Sequence, residues 1–517
     1  MKKRVANCPS CGGPVEFNSR SSFVAICEFC QCVVARGDRG VEDHGKVSDL
    51  VVTNTPLFRG ATGKLANKNF EVTGRVQYQH PAGGVWDEWY LLFSNGKWGW
   101  LAEAEGRFFL TFEKRIPSSV EIPDFESLEP GTRFKLGSKG DVAVREVTTA
   151  ISNGAEGEIP WAFRVGAPHR FADLEGQNNE FGTVEYADDG LKLFLGREVT
   201  LDDLKIDAGG WGAGAPGSDE IRVKALSVSC PNCAGPLELH APDETQRVCC
   251  PSCSSLLDCE SGNLSYLKTL KTRRVKPVIP LGTVGKLNDV EYTIIGFMER
   301  FARYQGVDYP WTEYLLKSSK GGFRWLVRTN KHWSFVKPVS VGAITEGART
   351  ARYDHTSFRL YDSGKATVRY VLGEFFWRVE VGEETKTADY IAPPRMVSVE
   401  RSMGDQKEMN VSVGEYLTVE EVEEAFGVKD LARSWKVGTL QPAPVISGVM
   451  VSWAAFAVLM VLLKTIFSVV LTDGVDFGFF LIMLVLMSVF PIGVLIHRYS
   501  FEVSRWQDSD YSPYSTE

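Results

Sequence analysis

The stretch CPSCGGPVEF spans Cys8–Phe17, and the closely similar stretch CPNCAGPLEL spans Cys230–Leu239, 222 residues later. Each stretch opens with a Cys-x-x-Cys pair, and a second such pair follows after 15 or 16 residues. Four thiolates held by two tight turns match the tetrahedral preference of Zn²⁺. We therefore predict two zinc ribbons with one structural ion each, and with these ligands: Cys8, Cys11, Cys27 and Cys30 in the first, and Cys230, Cys233, Cys250 and Cys253 in the second.

Three further cysteines lie outside these pairs: Cys32, Cys249 and Cys259. We interpret them as free thiols beside the ribbons. Cys249 is an alternative ligand to Cys250, although Cys250-Pro-Ser-Cys253 has the better spacing. A redox role for the pairs is the second alternative, but no thioredoxin-like βαβ pattern surrounds them.

The repeat extends well beyond the ribbons. GKLANKNFEVTGR at Gly63 aligns with GKLNDVEYTIIGF at Gly285, and WDEWYLLF at Trp86 aligns with WTEYLLK at Trp311. GREVTLDDL at Gly196 aligns with GEYLTVEEV in the second half. The chain is therefore a tandem duplication of a unit that contains one ribbon and one larger domain.

The larger domains have the pattern of β-structure. Short runs rich in aromatic and β-branched residues alternate with Gly, Asn and Pro, which favours a sandwich or a barrel. Near the end of each unit, Thr200 with Asp203 and Thr418 with Glu421 predict a capped short helix. The fold class is therefore mainly β, with two zinc-ribbon plus β-sandwich or barrel-like modules in tandem.

Two long apolar segments near the C-terminus predict a transmembrane hairpin. Val445–Leu471 has Lys464 as its sole charge, and Phe477–Ile496 has none; each is long enough to cross a bilayer. Basic residues flank the hairpin, and its short loop carries Asp473 and Asp476, so we expect both termini in the cytoplasm and the protein in the inner membrane. Lys464 is expected to snorkel or to pair with a loop aspartate, with a functional intramembrane charge as the alternative.

These patterns give a division of the chain. The predicted segments are zinc ribbon 1 (1–40), β-rich domain 1 (45–206), a flexible linker (207–224), zinc ribbon 2 (225–262), β-rich domain 2 (275–436), two transmembrane helices (445–471 and 477–496) and a cytoplasmic tail (499–517).

The sequence FEVTGRVQY…WDEWYLLFSNGKWGWLAEAEGRF within Phe70–Phe108 resembles the bacterial family known as domain of unknown function 4178. The second copy carries a fainter form of the same motif. The resemblance brings no established activity. It does imply a setting near membrane proteins and polyamine-synthase-like enzymes, where members of the family tend to be encoded.

A candidate ligand or partner face lies in the first copy. We find no G-x-S-x-G, phosphate-binding glycine loop or H-E-x-x-H in the sequence, and we expect a protein that is not an enzyme. The aromatic cluster of the first copy is typical of a core, or else of a face for a peptide or a cationic ligand. A recurring Glu and Arg suggest either a structural ion pair or ligand contacts. The candidate residues are Trp86, Glu88, Trp89, Trp100 and Arg145.

Three functional hypotheses follow. The first is a membrane-anchored cytoplasmic scaffold whose duplicated modules recruit a protein partner. The second is nucleic-acid binding through the ribbons and the basic run Lys268–Lys276, which the net charge of −8 disfavours. The third is a β domain that binds or converts a small ligand related to polyamines. Of the two copies, we expect the first to retain function and the second to act as a scaffold.

Overall fold

The structure is a computed structural model of the whole chain. It describes residues 4–17, 24–37, 40–46, 50, 55, 57–81, 83–104, 107–136, 140–161, 163–206, 226–241, 245–260, 263–270, 274–318, 322–403, 407–444, 447–470 and 477–514. The predicted linker, 207–224, and the loop aspartates Asp473 and Asp476 lie outside these ranges.

Each ribbon consists of a small hairpin and a second small sheet. The strands of the first are β1 (Arg4–Asn7), β2 (Pro14–Phe17), β3 (Val24–Ile26), β4 (Cys32–Gly37) and β5 (Gly40–Lys46). β1 pairs with β2, and β4 lies between β3 and β5. A tight turn follows each Cys-x-x-Cys pair, and these turns place the four cysteines of one ribbon opposite each other.

The first large domain is a closed antiparallel barrel of eight strands. Its strands, with two short additional ones, are β6 (Thr62–Leu65), β7 (Lys68–Gln79), β8 (Val85–Phe93), β9 (Trp98–Ala104), β10 (Arg107–Lys114), β11 (Arg133–Lys135), β12 (Asp141–Ile159), β13 (Pro168–Glu175), β14 (Glu180–Ala187) and β15 (Gly190–Val199). The order around the barrel is β7-β8-β9-β10-β15-β14-β13-β12 and back to β7. Two consecutive four-stranded meanders thus close on each other.

The second unit repeats this plan. Its ribbon strands are β16 (Leu226–Ser229), β17 (Pro236–Leu239), β18 (Arg247–Cys249), β19 (Ser255–Glu260) and β20 (Asn263–Thr269). Its barrel domain has β21 (Val284–Leu287), β22 (Val290–Tyr304), β23 (Val307–Ser318), β24 (Gly322–Thr329), β25 (His332–Val339), β26 (Thr345–Glu346), β27 (Thr350–Tyr353), β28 (Thr356–Phe375), β29 (Glu384–Ala392), β30 (Arg395–Ser402) and β31 (Lys407–Leu417). The ring is β22-β23-β24-β25-β31-β30-β29-β28 and back to β22. The mainly β fold class and the tandem barrel-like modules are confirmed.

A short helix follows the last barrel strand of each unit: α1 (Leu201–Leu204) and α2 (Val419–Phe426). The side chains of Thr200 and Thr418 accept hydrogen bonds from the amides of Asp203 and Glu421, as the sequence predicts. Leu204 and Phe426 are buried against the outer faces of their barrels. The helices therefore cover apolar residues that the outward-facing side of each barrel would otherwise expose.

Each ribbon is joined to its barrel by strand pairing. β3 pairs with the end of the long strand β12, and β18 pairs with the end of β28. In the first unit, Val24, Ile26 and Val33 of the ribbon share one apolar cluster with Val76 and Tyr78 of the barrel. The ribbon thereby closes one side of the barrel core, so the cysteine-bearing ribbon and the barrel form one packed unit.

The two barrels also contact each other directly. β12 of the first pairs with β31 of the second at Glu146↔Glu408 and Val147↔Lys407. The amide of Val341 donates a hydrogen bond of 2.8 Å to the carboxylate of Glu175. Backbone pairing and a buried polar contact across the boundary hold the duplicated units in one fixed arrangement.

Two helices follow the second barrel, α3 (Ser447–Val470) and α4 (Phe477–Trp506). They contact each other, with the rings of Trp453 and Phe490 stacked at 5.2 Å. Within the described chain, Leu481–Trp506 is long and apolar enough to cross a membrane, and Met450–Ile466 is a shorter apolar helix. Lys464 lies on α3 and is exposed.

Candidate functional site

The structure brings the two predicted sets of cysteines together as two tetracysteine clusters. All four Sγ atoms of each cluster lie within 4.8 Å of one another. The shortest separations are 3.6 Å for Cys8–Cys30 and for Cys11–Cys27 in the first cluster, and 3.7 Å for Cys230–Cys253 in the second. A tetrahedral ion with metal–sulfur bonds of about 2.3 Å requires sulfur–sulfur edges of about 3.8 Å. Both clusters therefore have the size that a four-coordinate thiolate metal demands.

Each cluster rests on tight turns that follow its cysteine pairs. In the first knuckle of the first ribbon, the amide of Gly12 donates to the carbonyl of Cys8 at 2.8 Å, and the backbone of Gly12 is left-handed with φ of 76°. In the second ribbon Ala234 occupies the same place with φ of 56° and the same bond to Cys230. A left-handed alanine carries a steric cost that glycine avoids.

The three remaining cysteines do not join these clusters. Cys32, Cys249 and Cys259 are all buried. Cys249 packs in an apolar cluster with Leu256 and Met298, and burial raises its pKa to about 12. A thiol in such surroundings behaves as a small apolar side chain.

A second candidate site lies inside the first barrel. Because strand residues alternate between two faces, every second side chain points into the barrel. A cavity of about 3040 Å³ is lined by residues of both barrels. In the first barrel its lining includes aromatic, acidic and hydroxyl side chains: Trp86, Glu88, Glu146, His169, Phe171, Asp173 and Thr183.

Glu88 is held in the wall of this lumen by two tryptophans. The indole Nε1 of Trp86 donates to Oε1 of Glu88 at 3.3 Å, and the indole of Trp100 donates to Oε2. Among the described residues, no cationic side chain forms an ion pair with Glu88. Burial raises the pKa of Glu88 to about 7, against the two indole hydrogen bonds that favour its ionised form. The lumen therefore contains a carboxylate that two hydrogen bonds orient and that has no counter-ion among the described residues.

Other acidic groups lie near Glu88. Burial raises the pKa of Asp173 to about 7, with a further contribution from the charge of Glu146. Glu146 contacts Nε2 of His80 at 2.6 Å. His169 lies 3.5 Å from Glu185, and burial lowers the pKa of His169 to about 4, so this imidazole is neutral near pH 7. The acidic groups thus outnumber the charged bases around this part of the lumen.

The other two candidate residues lie elsewhere. Trp89 points to the opposite face of β8, where its indole donates to Glu103 at 3.1 Å and where Arg75 lies over its ring at 5.0 Å. Arg145 lies near the boundary between the barrels, 3.9 Å from Glu175 and 3.6 Å from Glu408. It lines the same cavity, and its charge opposes the rise in the pKa of Asp173. Trp86, Glu88 and Trp100 are therefore brought together, whereas Trp89 and Arg145 interact with other acidic side chains.

The second barrel carries a modified version of the same site. Glu313 accepts a hydrogen bond of 2.6 Å from the indole of Trp311, as Glu88 does from Trp86. Here, however, Arg300 donates to Glu313 at 3.3 Å and to Glu400 at 2.9 Å. Arg300 pairs across the strands with Trp311 in the register that Tyr78 has with Trp86. The second barrel therefore supplies its own cation where the first has a tyrosine.

Sequence reasoning missed Tyr78, His169 and Asp173. These residues come from β7 and β13, and the barrel closure brings them to Glu88 from distant positions in the chain. The alternation of side chains along a strand separates Trp89 from Trp86 and Glu88. Residues an even number of positions apart share a face of the strand, and residues an odd number apart do not. The local sequence does not indicate that Asp173 belongs to the site, because its surroundings depend on how β12, β13 and β14 pair.

The duplicated segments correspond to a known family. Residues 59–201 and 280–419 each match the family described as Domain of unknown function (DUF4178). The chain belongs to this family. The two matches cover more than half of the chain and coincide with the two barrels, so the DUF4178 domain is an eight-stranded barrel that this chain contains twice.

No curated protein matches this DUF4178 protein. Among solved structures, a tryptophan-to-alanine mutant of transferrin binding protein B, a vaccine antigen from Haemophilus parasuis, shares 10% identity over 80% of this chain and 85% of that chain, with a TM-score of 0.11. The two tetracysteine clusters and the apolar helix near the C-terminus fit a membrane-anchored, metal-binding protein.

Proposed function

We propose that this protein is a membrane-anchored binding protein that takes a small organic cation into the lumen of its first barrel. In this proposal both tetracysteine clusters hold zinc and act structurally. The second barrel is the divergent copy, which neutralises its own acidic site and supports the first.

The observation that carries this proposal is the exchange of Tyr78 for Arg300 between the two copies. In the second barrel the guanidinium of Arg300 meets the carboxylate that Trp311 orients. In the first barrel the carboxylate of Glu88 is oriented by Trp86 and Trp100 and faces the lumen without such a group. An external ammonium group would complete the arrangement that the second copy completes internally.

The surroundings of Glu88 suit an ammonium group in two ways. Tyr78 and Trp86 stack at 5.3 Å, and Phe171 lies edge-on to Trp86 at 5.6 Å, so aromatic rings surround the carboxylate. Aromatic faces attract desolvated cations. Asp173 provides a second carboxyl group in the same lumen, which favours a ligand with more than one amine, as in the polyamine-related alternative.

The membrane arrangement is part of the proposal. α3 and α4 are proposed to cross the inner membrane as a hairpin, with both termini and both barrels in the cytoplasm. α4 supports this as the longer apolar helix, and the contact between Trp453 and Phe490 supports a hairpin. Recruitment of a protein partner stays a prediction, for which a pull-down from detergent extract is the test.

Calorimetric titration tests the cation site. The probes are tetramethylammonium, n-butylamine and 1,4-diaminobutane, titrated into the detergent-solubilised full chain. Glu88→Gln removes the charge but keeps the shape, so binding of each probe should be lost. Glu313→Gln is the matched control, because it makes the same change in the second barrel and leaves Arg300 paired with Glu400.

The proposal is wrong if wild type binds none of these probes, or if Glu88→Gln binds them as well as wild type does. Loss of binding in both variants would also count against it, since Glu313 lies in the other lumen. Thermal unfolding of each variant without probe separates loss of the site from loss of the fold.

A further inference from the structure

The end of the membrane helix α4 reaches the second barrel. Most of the helix is exposed, but its last two residues, Arg505 and Trp506, are 2% and 6% exposed. Trp506 packs in a small cluster with Ile391 and Leu440, and its ring lies 5.6 Å from that of Tyr361. The helix therefore ends in a docked aromatic side chain on β28 and β29.

The segment that follows continues along the same strand. The hydroxyl of Tyr361 donates to the carbonyl of Arg505 at 3.3 Å, and the hydroxyl of Ser509 donates to the carbonyl of Tyr361. Ser363 and Tyr511 share a hydrogen bond of 3.2 Å between their hydroxyl groups. These contacts are spread over the seven residues Arg505–Tyr511. The segment therefore follows β28 rather than touching it at one point.

This contact lies beside carboxyl groups of the second barrel. Arg505, Asp508 and Asp510 line the same cavity as Asp362, Asp389 and Ser398. Asp362 and Asp389 are cross-strand neighbours that point into the second barrel. The segment thus covers the side of the lumen where these two carboxyl groups lie.

We infer that the second barrel has a mouth on this side and that Arg505–Tyr511 forms a strap that closes it, so that the docking of the anchor helix controls access to that lumen. Because the strap continues directly from the apolar helix, a shift or tilt of the helix in the bilayer moves Trp506 and opens the mouth. The inference does not depend on cation binding in the first barrel.

Carboxyl footprinting tests the strap. The full chain in detergent is treated with a carbodiimide and glycine ethyl ester, and mass spectrometry follows the labelling of Asp362 and Asp389. Trp506→Ala removes the docked ring and should raise the labelling rate of both groups on the order of tenfold, because the closed state loses its buried anchor. A chain that ends after Gln507 should give the same direction of change while keeping α4 complete.

Trp435→Ala is the matched control, because it makes the same substitution at a tryptophan that is fully exposed. Labelling of Glu158, which is buried and does not line this cavity, is the internal reference and should stay constant. Equal labelling of Asp362 and Asp389 in wild type, Trp506→Ala and the shortened chain overturns the inference. A rise as large in Trp435→Ala, or a parallel rise at Glu158, overturns it as well, since the effect would then be general loosening.

Discussion

Tyr78 and Arg300 occupy the same position in the two barrels, each opposite the tryptophan that orients a lumen glutamate. Burial on its own would lower the pKa of Arg300, but the carboxylates of Glu400 and Glu313 raise it above its ordinary value, so this cation is permanent. The duplicated chain thus contains a neutralised and an open version of one site. The second barrel therefore serves as an internal comparison for cation binding in the first.

Cation binding should depend on pH through Glu88. Its pKa of about 7 in the folded protein means that protons compete with the ligand below pH 7. The affinity for tetramethylammonium, whose charge does not change with pH, should rise about tenfold per pH unit up to about 7 and then level off. Titrations between pH 5.5 and 8.5 measure this, and a flat profile in wild type would contradict the assignment.

In the absence of ligand, the stability of the folded protein should fall as the pH rises. A carboxyl group whose pKa is raised on folding stabilises the protein below its unfolded pKa and loses that contribution as the pH rises through the folded value. Glu88, Glu103 and Asp173 all have pKa values raised to about 7 by burial. We expect the melting temperature of the ligand-free protein to fall between pH 5.5 and 8, and Glu88→Gln to reduce this fall.

The two clusters should hold two metal ions per chain. Cys11→Ser should reduce the content to one ion, because an exposed ligand is lost without a change in core packing. Cys32→Ser is the control, since Cys32 lies outside the cluster, and it should keep both ions. Elemental analysis of the purified chain measures the content; two ions in Cys11→Ser would argue against the four-thiolate site.

The left-handed knuckle residues should set the relative strength of the two ribbons. Apart from its two chain neighbours, no heavy atom of the described residues lies within 4 Å of a Cβ added at Gly12, so Gly12→Ala tests backbone conformation alone. It should weaken metal retention by about 1 kcal/mol, or about fivefold in affinity, and Ala234→Gly should strengthen the second ribbon by a similar amount. Competition with a chromogenic chelator measures both, and changes of the same sign in the two variants would refute this explanation.

The first ribbon should support the cation site. Val24 and Ile26 pack in one cluster with Tyr78, so loss of the first metal ion should loosen the wall of the lumen. Cys11→Ser should therefore weaken binding of 1,4-diaminobutane, whereas Cys233→Ser, the equivalent change in the second ribbon, should not. Equal affinities in the two variants would show that ribbon and lumen are independent.

The parts of the molecule that the sequence predicts are those with local signals. The cysteine spacing gives both clusters, and the tandem match of GKLANKNFEVTGR with GKLNDVEYTIIGF gives the duplication. The capping threonines Thr200 and Thr418 also depend on residues only three positions away. In each case the physical determinant is contained within one short segment or one direct self-comparison.

The closure of the barrels has no local signal. It depends on the pairings of β12 with β7 and of β28 with β22, which join strands far apart in the chain. The site around Glu88 depends on the same closure, since Tyr78 and Asp173 reach it from different strands. For this reason the sequence indicates Trp86, Glu88 and Trp100 but not the exchange of Tyr78 for Arg300 that distinguishes the two copies.

The most direct test of the central claim is calorimetric titration of Tyr78→Arg with 1,4-diaminobutane. The second barrel shows that an arginine fits at this position beside an oriented glutamate, so the variant should fold with the melting temperature of wild type or above. The new guanidinium should occupy the place of the ligand at Glu88, and the heat of binding should disappear. A folded Tyr78→Arg variant that binds 1,4-diaminobutane with the affinity of wild type would contradict the proposed site.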